Sequence, residues 1–210
     1  MATWRCWLLI GLGILALPHV AAAAFLDAVL AEAEGETITA SEIGLARALA
    51  LFELQPTSAP IQPSELETLV DGRILEREAL RLQIQPSPEE LQAAWRSAAD
   101  RVGGETALAA WLARIGVSQE WVRRLVDGDL RRRQFIQLRF RAFALVGPAE
   151  LQAALGPGPH ADAEREAVEA RLTRDAAEQA LRAWLRDARS RAGVRPVTGA
   201  LPAPCPIPLP

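Results

Sequence analysis

Pro86-Ser87-Pro88-Glu89-Glu90 is a complete helix-start signal, and signals of its kind recur down the chain. Ser87 stands as the N-cap, Pro88 takes the first helical position, and Glu90 can reach back to the cap. Thr39-Ala40-Ser41-Glu42 repeats the capping-box pattern and Ser118 precedes a further helical run. Gly103-Gly104, Gly116 and Gly147-Pro148 supply stops. A chain punctuated in this way is predicted to be mainly α-helical.

The apolar spacing agrees. Leu91, Ala94, Trp95, Ala98 and Val102 make one stripe, and Leu108, Trp111, Leu112 and Ile115 make the next. The run from Ala40 to Leu54 is apolar nearly all round, as in a helix buried on several sides or one that binds something. After Pro63-Ser64, Leu66, Leu69, Val70, Ile74 and Leu80 share one face while Leu75 and Leu82 point the other way, which predicts a central helix packed on two sides. Gln119 to about Phe143 reads as one long helix. Val122, Leu125, Val126, Ile136, Phe140 and Phe143 lie on one face, with Asp129 and Arg133 as an i,i+4 ion pair within it. A last helix spans about Ala163 to Ala192 and carries Leu172, Leu181, Trp184 and Leu185. Strand signals are few: Ala28–Ala33 and Glu36–Thr39 flank a Glu34-Gly35 turn, and Val194–Val197 could form a short final strand.

Residues 1–24 read as a secretory signal peptide. Arg5 provides the positive n-region, Trp7 to Leu17 the apolar stretch, and Ala21 to Ala24 the small residues of a cleavage site. An apolar run of about 11 residues is short against the roughly 20 that span a bilayer. The expectation is therefore a periplasmic protein with no stable membrane insertion after cleavage, the alternative being an uncleaved N-terminal anchor. The formal charge of −3 would become −4 with Arg5 removed, a mild acidity that gives no reason to expect nucleic acid or an anionic membrane as partner. The arginines at 123, 124, 131, 132, 133, 139 and 141 read as a solvated helix face.

Residues suited to catalysis are scarce. Beyond residue 24 one His (His160, in a Gly/Pro-rich stretch) and one Cys (Cys205, in the proline-rich tail) remain, and there is no Lys. Ser-His, Cys-His and Schiff-base arrangements cannot be assembled from this set, nor can His/Cys metal sites. Glu89-Glu90 sits where carboxylates serve as helix caps. No catalytic residue, metal or cofactor is expected. Cys205 has no internal disulfide partner after cleavage, though it could pair between chains. The tail around it, with Pro at every second position from Pro202, is predicted to be extended polyproline II without a core.

The order of the pieces resembles a known family. A strand and Gly turn lead into Ile38-Thr39-x-Ser41-Glu42-Ile43. Then come Leu66-x-x-Leu69-Val70-x-x-x-Ile74-Leu75-x-x-Glu78-Ala79 and Ile84-x-Pro86-Ser87-x-Glu89-Glu90-Leu91. Leu112-x-x-x-Gly116-Val117-Ser118-x-Glu120-x-x-Arg123 follows, continuing into Leu130-Arg131-Arg132-Arg133-x-Phe135-Ile136. Together they resemble the N-terminal domain of SurA-type periplasmic chaperones, of the parvulin-type foldase family. Pro148-Ala149-Glu150-Leu151 matches the lead into the family's isomerase domain, and Ala183-Trp184-Leu185-x-x-Ala188-Arg189 its closing helix. Where such proteins carry an isomerase domain of roughly a hundred residues, this chain offers only Leu151 to Ala163.

The resemblance implies a helical body with a small N-terminal β-hairpin, closed by a C-terminal helix and strand that pack back on it. The expected organisation is a signal peptide (1–24), a chaperone domain (25–150), a linker in place of the isomerase (151–162), the closing helix and strand (163–197) and a tail (198–210). It implies binding of unfolded or partly folded exported polypeptides, typically outer-membrane precursors, with no cofactor. Phe52, Trp121 and Phe135, which fall off the main stripes, are the candidate client contacts. Other readings stay open: an accessory dedicated to one secretion or assembly partner, a structural envelope protein, or an isomerase-family protein with residual activity.

Overall fold

The computed structural model describes residues 27–196 and 207–210. The expected signal peptide (1–24) and Cys205 lie outside them. Strands β1 (Val29–Ala33) and β2 (Glu36–Thr39) form the expected hairpin. Glu34 and Gly35 both take positive φ (55° and 81°), the backbone that a two-residue hairpin turn requires. Helices follow as α1 (Ala40–Ala48), α2 (Pro63–Arg81), α3 (Pro88–Asp100), α4 (Glu105–Ile115) and α5 (Gln119–Ile136). A π-helical turn at Gln137–Arg141 leads to α6 (Pro148–Leu155), α7 (Asp162–Arg191) and β3 (Arg195–Pro196). The fold is mainly helical, with a small antiparallel hairpin near its start.

Both ends of the chain build one sheet. β1 is central, in the order β2-β1-β3, and β3 pairs with it antiparallel through Ala31↔Pro196 and Glu32↔Arg195. A proline here is tolerable because β3 is an edge strand, where one missing donor breaks no inner ladder. α7, about 45 Å long for its 30 residues, lies across α2 and is clamped there by Arg189, which donates to both Asp71 oxygens at 2.5 and 2.7 Å. α2 is the central helix, packed by α5 and α7 as well as by α1 and β1. The main core gathers Ile38, Ile43, Leu45, Leu69, Ile74, Trp111, Leu112 and Val122. A second cluster joins Leu75, Ala79, Phe135, Phe140 and Ala177, with Trp184 packed against both clusters.

The helix starts follow their caps. Ser87 N–H donates to Glu90 Oε2 (2.8 Å) while Glu90 N–H donates to Ser87 Oγ (3.2 Å), the reciprocal box expected at α3. At α1 only half of the box forms: Glu42 N–H donates to Thr39 Oγ1, but the Glu42 carboxylate turns inward to Arg73 (2.7 Å).

Three boundaries depart from expectation. α1 stops at Ala48, well short of Leu54, because Ala50, Phe52 and Glu53 adopt positive φ (50°, 53° and 64°). Such backbone costs about 1–3 kcal/mol per non-glycine residue unless tertiary contacts hold it. The holding contacts are Phe52 N–H donating to buried Asp129 Oδ1 (3.1 Å) and the Phe52 ring lying on Gly72, where an added Cβ would meet it at 2.7 Å. The long helix expected to reach Phe143 changes to a π turn after Ile136. This wider turn keeps Phe140 inside against Phe135 and Trp184 (centroids 5.9 Å in each case) and leaves Phe143 outside. Finally, Leu151–Leu155 of the expected linker belongs to α6, which packs on α7.

Buried Arg47 on α1 was not singled out from sequence. Its guanidinium donates to Glu65 Oε1 (2.6 Å) and to the carbonyls of Ala59 (2.7 Å) and Pro60 (3.1 Å), pinning the proline-containing loop before α2. Such saturation is what makes a buried charge tolerable.

Candidate functional site

Two of the three proposed client contacts are core residues. Phe52 and Phe135 are each only 2% exposed, one wedged between α2 and the α5 charge network, the other sealed by Phe140 and Trp184. Trp121 is half-buried against the main core. Phe135, off the main stripe of α5, faces Trp184 of α7 rather than water, and Phe52, carried past the end of α1, packs on Gly72 of α2 beneath Arg132. The structure does not gather the three residues into one surface.

It assembles a groove instead. α2, α5, the π turn and α7 enclose about 370 Å³, a size typical of ligand-binding clefts. Leu75, Ile136, Ala177, Leu181 and Leu185 supply apolar walls, with Phe52 and Gly72 at one end. Arg132, Arg141, Arg174 and Arg182 stand around it with Glu53, Asp71 and Glu178. Several of these charges are already engaged: Asp71 by Arg189, Glu178 by Arg182 (3.4 Å), and Arg132 by Asp129 (3.1 Å). The groove is therefore lined by apolar and charged groups in similar measure.

From the π turn onward the chain exposes large apolar side chains. Leu138 is 56% exposed, Phe143 74% and Leu145 87%. Leu80 and Leu82, at the C-terminal end of α2, are exposed as well. Ile84 and Ala144 both pack on the Phe135–Phe140 cluster, so the chain just after α2 and the segment after the π turn border the same cluster. Exposed apolar side chains beside a groove with mixed lining are the kind of surface that marks an interaction site. Phe143 was expected on the apolar face of a continuous α5, which hid its exposure, and Leu145 lies beyond that expected helix.

The charged residues of α5 have intramolecular partners. The Asp129 carboxylate accepts from Arg132 (3.1 Å) and lies 3.1 Å from Arg133 Nε, so the expected i,i+4 ion pair forms, but Arg132 is the buried partner. Arg123 lies 4.0 Å over the Trp95 ring, Arg124 pairs with Glu120 and Arg131 with Asp127 (2.8 Å each). A separate cluster surrounds Arg73, which contacts Glu42 (2.7 Å), Glu76 (3.0 Å) and Glu36 (3.8 Å). Burial, reinforced by Glu76 and Glu36 and opposed by Arg73, lifts the Glu42 carboxyl from 4.5 to about 7. Burial likewise raises Glu76.

His160 joins α6 to α7: Nδ1 lies 3.2 Å from Glu164 Oε2 and Nε2 lies 3.4 Å from the Gly156 carbonyl. Among the described residues no group of three or more His, Cys, Asp or Glu is placed to hold a metal ion, and no helix is long and apolar enough to cross a membrane. No protein-family model matches this chain, and no curated protein matches it.

Proposed function

We propose that this chain is an exported, non-catalytic chaperone of SurA-like design. It holds unfolded or partly folded envelope polypeptides at the apolar end of its helical bundle, in a periplasm-like compartment. The observation that carries the reading is the exposure of Leu138, Phe143 and Leu145 beside the groove between α2, α5 and α7. The closing of the N-terminal body by α7 and β3, with Trp184 seated on Phe135 and Phe140, supports the resemblance on which the class rests. Such a surface selects by apolar contact, so clients rich in aromatics are favoured over any single sequence.

Affinity for a disordered client should be modest, roughly micromolar, because ordering the client offsets part of the contact energy. The test is aggregation of a denatured outer-membrane β-barrel protein monitored by light scattering. Equimolar mature chain should suppress it. If the chain leaves aggregation unchanged yet retains one native partner, the reading passes to an accessory dedicated to that partner.

A further inference from the structure

The tail, expected to have no core, ends in one. Ile207 is 5% exposed and belongs to the main core cluster, and the buried Trp111 of α4 donates its indole N–H to the Pro208 carbonyl at 3.2 Å. Residues 207–210 reach this place without joining a helix or strand, and Leu209 remains exposed. An indole N–H on a proline carbonyl beside a seated aliphatic side chain is how grooves read polyproline-type chains. Proline removes backbone donors and preorganises the strand, leaving carbonyls and alternate side chains to be recognised.

We infer that the surface of α4 around Trp111 is a recognition site for extended proline–aliphatic segments, and that the chain's own tail is its tethered, displaceable occupant. One anchoring side chain and one hydrogen bond make a weak contact, which the tether offsets. Only residues 197–206 separate Ile207 from β3, and a covalent tether of that length gives an effective concentration on the order of millimolar. A second copy of the chain at micromolar concentration cannot compete with that. A proline-containing segment of a client already held at the apolar end can, because it too is tethered. The source of the displacing segment rests on the function proposed above, whereas the site itself does not.

The experiment is a fluorescence-anisotropy titration with a labelled Ala-Pro-Ile-Pro-Leu-Pro peptide and no unfolded client. Three proteins are compared: the full mature chain, the chain lacking residues 198–210, and the full chain carrying Ile207→Ser. For a seat with a dissociation constant of about 0.1 mM, the tether predicts roughly tenfold tighter binding to both altered chains than to the parent. The Ala-Pro-Ser-Pro-Leu-Pro peptide should bind none of them. Equal binding to all three proteins, or no binding to the truncated chain, overturns the inference. So does loss of cooperative folding in both altered chains, since the tail would then be a permanent part of the core. Failure here leaves aggregation suppression untouched, and failure of aggregation suppression leaves the peptide titration untouched.

Discussion

Replacing Glu42 by Gln should change how stability depends on pH, in a direction fixed by the surroundings of that carboxyl. Glu42 is buried beside Arg73, with Glu76 and Glu36 sharing the same guanidinium, and it is lifted from 4.5 to about 7. Between those two values the folded chain keeps a proton that the unfolded chain releases. The contribution of Glu42 is thus fully present below about pH 4.5 and lost as pH rises toward 7. Glu76 is raised by burial and acts in the same sense. Glu65 acts oppositely: burial raises it, but hydrogen bonds from Arg47 and the Gln62 N–H outweigh this and lower it, so its contribution is lost in acid. At about 1.4 kcal/mol per pH unit, the Glu42 shift from 4.5 to about 7 corresponds to at most about 3–4 kcal/mol. Local rearrangement and water penetration around the ionised carboxylate reduce this to about 2 kcal/mol. Gln mimics the protonated acid, so E42Q should gain on the parent by about 2 kcal/mol between pH 4.5 and pH 8. Urea denaturation of both proteins across that range, with m unchanged, measures the difference. A difference independent of pH, or one that grows toward acid, would refute the reasoning.

Further outcomes follow from the packing. Gly72→Ala should destabilise by about 1–2 kcal/mol net, because its Cβ would stand 2.7 Å from the Phe52 ring while the helix itself favours Ala, and urea melts will show it. Trp184→Ala should cost about 2–3 kcal/mol, less than a fully buried Trp, since Trp184 is half-buried on Phe135 and Phe140. Deleting residues 163–197 should leave a chain that aggregates, and a truncated monomer with an unchanged melt would contradict the packing of α7 on α2. The mature protein should not accelerate cis-to-trans conversion of a prolyl peptide above its uncatalysed time of tens to hundreds of seconds. An acceleration that survives His160→Ala would reveal a site among other residues.

What could be read from the sequence was local chemistry. The α3 start at Ser87, Pro88 and Glu90 and the hairpin turn at Glu34-Gly35 depend on neighbours a few residues away, and both appear as read. The resemblance added a long-range expectation, α7 and β3 closing the N-terminal body, which the β1–β3 pairing bears out. Features set by distant partners could not be read. The end of α1 depends on Asp129 receiving the Phe52 N–H from 77 residues away, and the Glu42 carboxylate leaves its own cap for Arg73, 31 residues on. The candidate contacts failed for a related reason. A helical wheel places Phe135 off the main stripe without revealing that Trp184 covers it, and it assumes a continuous α5 where a π turn rotates Phe143 into solvent.

The most direct test of client holding compares two triple variants for binding a labelled, urea-diluted outer-membrane protein. Changing Leu138, Phe143 and Leu145 together to Ser removes exposed groups, so the melt should stay within about 0.5 kcal/mol of the parent. Losing three apolar contacts should nevertheless weaken client binding about tenfold or more. Changing Phe52, Trp121 and Phe135 to Ser should unfold the protein, because two of the three fill its core. If the Leu138, Phe143 and Leu145 variant keeps both its fold and its full client affinity, the apolar end is not where clients are held.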